Sequence, residues 1–317
     1  MNRRNFIKST TLAAATINLP FTGFTQDTSL KRKFKLCLSP GNIGVSLDQK
    51  GALQAAIDYG YEAIVSFPNE IQNWSDDEVA SFKKEMKSNK IEWGSGGLPV
   101  EFRKDEQTFK DGLSKLAKAA EALQKVGASK MNTWIMPTHP TLSYSENMKQ
   151  HASRLGECAK ILADYDVKLG LEYVGPKTLM ARDRYPFIHT LAECLTLIEN
   201  TKQPNVGIQL DTFHWFCGED TVADLLSLKP EQIITVDLND ARSDLSRDEQ
   251  LDGTRELAGA TGVIDITAFL KALMEIGYDG TVRSEPFNKK LNDMDDKKAM
   301  ELDMQSLQAV LKNCGVK

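Results

Sequence analysis

The 317 residues are enough for one large domain or two small ones, with ample length for a substantial core. With 41% hydrophobic and 26% charged residues, the composition is that of an ordinary soluble globular protein. The formal net charge of −5 offers no attraction to nucleic acid or to an anionic membrane. Past the N-terminal segment, no apolar run approaches the roughly 20 residues that span a bilayer.

The chain begins with Arg3-Arg4-Asn5-Phe6-Ile7-Lys8, a mildly apolar run from about Leu12 to Phe24, and polar Thr25-Gln26-Asp27. A basic n-region followed by a short h-region resembles a twin-arginine export signal. Residues 1–30 are therefore read as signal and linker, and 31–317 as the folded domain. The expected location is periplasmic, with the mature form free of the membrane. The five cysteines (Cys37, Cys158, Cys194, Cys217 and Cys314) are odd in number, scattered and without a C-x-x-C pair. They read as small core residues rather than a disulfide framework.

From Phe34 onward, strands and helices alternate. Phe34–Ser39 reads as a strand and Leu47–Tyr59 as a helix; Ala63–Phe67 and Asp76–Ser88 repeat the pair. Ile91–Ser95 is followed by Glu106–Val126, where Phe109, Leu113, Leu116, Ala120 and Leu123 fall on one helical face. Lys130–Met136 precedes a helix near Glu146–Tyr165, and Lys168–Val174 precedes one at Leu191–Glu199. Val206–Leu210, Ile233–Leu238 and Thr281–Pro286 complete the strands. Helices are expected near Thr221–Ser227 and over Ile266–Ile276, and a last one carries Met300, Met304, Leu307, Leu311 and Cys314 on one face. Gly60, Gly127 and Gly277 each stand where a left-handed residue ends a helix. Strands alternating with helices imply a parallel sheet, and eight such units match a single-domain (β/α)8 TIM barrel. No glycine-rich dinucleotide fingerprint follows the first strand, which weighs against an open doubly wound sheet.

Four late strands end in acid: Glu172, Asp211, Asp237 and Glu285. In a barrel these ends are neighbours on one rim, and four carboxylates in one pocket cannot all stay ionised without compensation. A divalent cation is the simplest compensation. An oxygen-rich shell favours Mn2+, Mg2+ or Co2+ over Zn2+. The loop Gly175–His189, with Lys177, Arg182, Asp183 and Arg184, reads as a lid, as does Asp240–Ile264 with Arg255-Glu256. Trp134 and His139, with Trp215 and Phe216, are candidate walls for a sugar. His151 and His189 read as surface or helix-edge residues.

The run Leu210-Asp211-Thr212-Phe213-His214, with Gly170-Leu171-Glu172-Tyr173 and Arg283-Ser284-Glu285-Pro286-Phe287, resembles the xylose-isomerase-like sugar isomerase/epimerase superfamily. Arg255-Glu256-Leu257, Thr261-Gly262-Val263-Ile264-Asp265 and Ile276-Gly277-Tyr278-Asp279-Gly280 resemble that family's lead-in to the eighth strand. The resemblance covers about residues 34 to 313. It implies a ketose or keto-sugar substrate and a divalent metal on Glu172, Asp211, Asp237 and Glu285. The metal would stabilise an enediolate while Glu172 and Glu285 move the proton. His214 and Arg255 would contact substrate oxygens; beside them, Asn239, which shares the inward face with Asp237 by strand alternation, and the candidate wall Trp134 are expected to touch the sugar, and a homo-oligomer is compatible with this.

One departure stands out. The family's seventh-strand histidine is replaced in Val236-Asp237-Leu238-Asn239. Either Asp237 ligates in its place, or fewer ligands hold the metal, or His214 turns inward. Competing readings use the same site as a lyase on a 3-keto-glycoside or inosose, or leave a non-catalytic sugar-binding barrel. A three-metal nuclease needs many histidines, and the chain has four.

Overall fold

A computed structural model describes residues 31–316. The segment read as an export signal lies outside the described residues. The strands in chain order are β1 (Lys35–Leu38), β2 (Ala63–Ile64), β3 (Glu92–Trp93), β4 (Gly96–Gly97), β5 (Lys130–Ile135) and β6 (Thr138–His139). They continue with β7 (Lys168–Tyr173), β8 (Tyr185–Pro186), β9 (Val206–Asp211), β10 (Ile233–Leu238) and β11 (Thr281–Ser284). Nine of them form one parallel sheet in the order β3-β2-β1-β11-β10-β9-β7-β5-β4. Its two end strands are separated in the chain only by Gly94 and Ser95, so the sheet returns on itself as a TIM barrel. The third expected strand is thus two short pieces, because the backbone must leave β2 on one side and join β5 on the other.

Inside the barrel, packing is set by small residues opposite large ones. A Cβ at Gly170 would lie 3.0 Å from the Ile234 side chain, and one at Gly207 would lie 2.4 Å from the Gln232 carbonyl oxygen. These two glycines on neighbouring strands leave the space that Ile234 fills. Outside, the helix Glu106–Val126 begins where Asp105 accepts the Thr108 N–H and ends at Gly127 with φ of 83°. It buries Phe109, Leu116, Ala120 and Leu123, with Leu113 half-buried. Each large apolar side chain so buried contributes about 1.5–3 kcal/mol.

Three expectations change. Asp211 is the N-cap of an additional short helix, Thr212–Cys217, accepting from the Phe213 and His214 N–H groups. His151 is buried rather than superficial: its ring packs between Phe102 and Phe187 and pairs with the Asn147 carbonyl. The stretch Gly175–His189 contains a helical turn, Lys177–Met180, and β8, which pairs antiparallel with β6. Cys37, Cys158, Cys194 and Cys217 are buried as free thiols, and Cys314 is half-buried. No helix among the described residues is long and apolar enough to cross a membrane.

Candidate active site at the C-terminal mouth

Strand register assembles the site. Asp237 is the cross-strand partner of Asp211 on one side and of Arg283 on the other, while Glu172 partners Trp134. Glu285 follows β11 directly, and its N–H donates to the Leu238 carbonyl. Glu172, Asp211, Asp237 and Glu285 each place an oxygen within 4.8 Å of the others, and Glu172, Asp211 and His214 form an overlapping group of the same kind. The four acids expected to converge do so.

Two buried guanidiniums sit among them. Arg255, only 2% exposed, is a hub whose five N–H donors are all engaged by the protein. Nη1 donates to Asp211 Oδ2 (2.9 Å) and Glu285 Oε2 (3.1 Å), and Nη2 to Asp252 Oδ1 (2.7 Å), with His214 Nε2 at 3.2 Å. Nε donates to the Asp252 carbonyl at 3.0 Å. The guanidinium lies between the rings of Phe213 and Phe287, at 4.8 and 4.5 Å. Phe287 holds φ of 40°, a left-handed conformation that is costly for a bulky residue, so its place over Arg255 is enforced by the surroundings. Arg283 pairs instead with Asp237, Nη2 to Oδ2 at 3.1 Å and Nε to Oδ1.

The carboxylates differ in what remains free. Asp211 accepts from the Phe213 and His214 N–H groups on Oδ1, and from Arg255 and the Asn239 amide (2.8 Å) on Oδ2. Glu172 is 5% exposed, and its Oε1 has no hydrogen-bond partner. Burial, reinforced by the neighbouring acids Glu285, Asp211 and Asp237, pushes Glu172 well above the usual carboxylate range. Burial and the Asp237 charge raise Glu285 to about 8. His214 is lowered to about 4 by burial, so its ring is neutral at pH 7.

Glu172, Glu285, His214 and Arg255 open onto a cavity of about 310 Å3. Trp134 and Phe287 are its aromatic walls, 40% and 38% exposed, and Leu179 and Arg182 come from the expected lid. A wider groove of about 770 Å3 lies on the outer face between the helices Tyr144–Ala163 and Leu191–Thr201, and none of the clustered acids opens onto it. Asp211, Asp237 and Asn239 are fully buried and do not line the cavity. Asn239 spends its amide on Asp211 and on the Glu285 carbonyl. His139 accepts the Thr141 and Leu142 N–H groups of a turn, Trp215 packs on Phe269 in the core, and Lys177 pairs with Glu219 and Asp248 at the surface.

Asp240 is a site-building residue that sequence reasoning missed. Its carboxylate accepts four backbone N–H groups, from Ala241, Thr261, Gly262 and Ile264. With the paired backbone bonds between Asp240 and Glu256, it folds the long loop so that Arg255 enters the site. The signal was an acid beside Asn239 with a Thr-Gly turn downstream, a pattern common to many loops.

The residues present fit a divalent cation. The two guanidiniums offset two of the four carboxylate charges, leaving two uncompensated when all are ionised. The unpartnered Glu172 Oε1 is the kind of buried acceptor that such an ion satisfies.

Parallel strands that deliver acids, a histidine and an arginine to one mouth define a TIM-barrel protein with a carboxylate-rich site. The model of the xylose isomerase-like TIM barrel family matches residues 53–311, and the chain belongs to that family. It is similar to an inosose isomerase from Bacillus velezensis, 23% identical over 208 residues, 66% of this chain and 71% of the relative. It is similar also to a ketose 3-epimerase from Arthrobacter globiformis, 27% identical over 195 residues, 59% of either chain. Among solved structures, a xylose isomerase domain protein from Alicyclobacillus acidocaldarius superposes with a TM-score of 0.77 at 26% identity, covering 89% of this chain and 99% of that one.

Proposed function

We propose that the protein is a sugar isomerase or epimerase that moves a proton at a carbon next to the carbonyl of a ketose or keto-sugar. The observation that carries this is the presence of two carboxyl groups, buried Glu172 and half-buried Glu285, on one sugar-sized cavity. The family membership and the similarity to an inosose isomerase and a ketose 3-epimerase support it.

Glu172, with one oxygen free of any hydrogen bond, is the general base. Glu285, the second carboxyl group on the cavity, returns the proton to the substrate. A divalent ion, for which this oxygen-rich set suits Mn2+, Mg2+ or Co2+ better than Zn2+, would be held by Glu172 and Glu285 on the cavity, with Asp211, whose oxygens already accept four hydrogen bonds, adding its charge behind them, and would supply Lewis acidity to the substrate oxygens. Arg255 fixes Asp211, Glu285 and His214 relative to one another. His214 lines the cavity with Arg255 Nη2 3.2 Å from its Nε2 and the Gly175 N–H 3.3 Å from its Nδ1, so it helps to fix the wall beside the substrate. Trp134 offers an exposed ring against which an apolar sugar face can stack.

The resemblance of the basic N-terminal segment to a twin-arginine signal supports an exported protein, which would meet free and glycosidic sugars. The test is proton NMR in D2O with Mn2+-loaded protein and a panel of ketoses, inososes and 3-keto-glycosides. Deuterium entering beside the carbonyl, with a new isomer, is the expected result. Loss of water or an aglycone would replace the isomerase by a lyase. No exchange in protein that contains metal would overturn the assignment for these substrate classes.

A further inference from the structure

We infer that Asp237 is not a metal ligand in this chain: its cross-strand pairing with Arg283 makes it a fixed counter-charge beneath the site, and the ion is held without a seventh-strand ligand. This rests on the metal-assisted reading above and specifies its ligand set.

The argument starts from register. Asp237 and Arg283 are direct partners on adjacent parallel strands, and both face the barrel interior. Glu285 lies two residues further toward the mouth than Arg283, and Asn239 two residues further than Asp237, with the Asn239 amide on the Glu285 carbonyl. Asp237 therefore belongs to the layer below Glu285.

In that layer both its oxygens are taken. Arg283 approaches through two nitrogens, Nε and Nη2, in the planar arrangement a guanidinium makes with a carboxylate. The Gln209 amide donates to Oδ2 at 2.6 Å, and Arg283 Nη1 continues to Ser95 Oγ at 3.3 Å. Asp237 is fully buried, and Arg283 is 6% exposed.

For Asp237 to turn to an ion, it would have to leave Arg283 as a buried, unpaired cation directly under the metal. That arrangement opposes binding twice, through the stranded charge and through repulsion of the ion. One Asp237 oxygen does lie within 4.8 Å of the other acids, so its charge is felt, but the acceptor left without a partner is the buried Glu172 Oε1, two strands away on β7. The loss of the usual histidine and the arginine two residues before Glu285 are on this account one coupled feature.

The test is titration of the purified full chain with Mn2+, read by the EPR signal of free ion. Wild type and the charge-neutral double variant Asp237→Leu with Arg283→Met should bind one ion with affinities within about threefold, because an electrically balanced pair has been removed and no ligand lost. Glu172→Gln should weaken binding by at least about 100-fold, as loss of a ligand does. A double variant that falls as far as Glu172→Gln would overturn the inference. Should the double variant not fold, crystals of wild type soaked in Mn2+ decide the matter by anomalous scattering. The ion is expected at about 2.1–2.2 Å from Glu172 and Glu285 oxygens and beyond about 3 Å from Asp237. An ion with Asp237 in its shell would overturn this inference alone, whereas a wild type that takes up no Mn2+ would overturn the metal reading and this inference together.

Discussion

The floor and the wall of the site use the same chemistry to opposite ends. On the floor, Asp237 is fully buried and its two oxygens are occupied by Arg283 and Gln209. On the wall, Glu172 is nearly as buried, yet one of its oxygens has no partner. Burial raises the proton affinity of both, and only Asp237 has a guanidinium in register to oppose it. A buried acid is thus made structural or reactive by what its neighbouring strand carries at the same height, since burial alone does not distinguish the two.

Glu172→Gln gives the largest expected effect on that contrast. It removes the free oxygen at little change in volume, so turnover should fall about a thousandfold while the chain stays folded. Deuterium exchange and circular dichroism on the same sample would check both halves. A variant that keeps more than about a tenth of wild-type exchange would return Glu172 to the structural class. Breaking the floor should do the reverse. Arg283→Met alone strands a buried carboxylate and should cost about 3–5 kcal/mol in urea unfolding. Removing both members of the pair should cost far less, within about 1–2 kcal/mol of wild type, because a neutral pair is replaced by packing. Equal losses in the single and double variants would mean that the floor is held by shape and not by charge.

The same contrast marks how much could be read in the sequence. Alternation of strand and helix gave the barrel, and the acids at four strand ends gave the cluster, because both follow from local pattern plus a fixed topology. Arg283 lay in plain view two residues before Glu285, but its pairing with Asp237 depends on inter-strand register, which no local pattern encodes. Asn239 faces inward by strand alternation as expected, but its amide is spent on Asp211, so facing inward did not mean reaching the cavity. Arg255 was visible as a residue in a long loop. Its burial depends on Asp240 gathering four backbone N–H groups from residues up to 24 positions away, and the contact is tertiary. His151 misled for a similar reason: a helix-edge position became interior once the segment around Phe187 closed over it.

The most gradual expected effect, spread over several pH units, concerns Glu285, where wall and floor meet. Its proton affinity is raised from the ordinary 4.5 to about 8, by burial first and then by the Asp237 charge below. Between these values the folded chain holds a proton that the unfolded chain has released. Stability of the metal-free protein therefore falls as pH rises through that window, with this group's contribution complete below about 4.5 and lost above about 8. One group gives a slope of at most about 1.4 kcal/mol per pH unit. Urea midpoints of chelator-treated protein at pH 5, 6, 7 and 8 should decline more steeply for wild type than for Glu285→Gln. Glu172, also raised, leaves a residual slope in both, so only the difference between the two chains counts. Saturating Mn2+ should flatten the wild-type curve, because an ion stabilises the ionised carboxylate in place of the proton. Identical slopes in wild type and Glu285→Gln would mean that Glu285 is ionised throughout, paired with Arg255 as firmly as Asp237 is with Arg283.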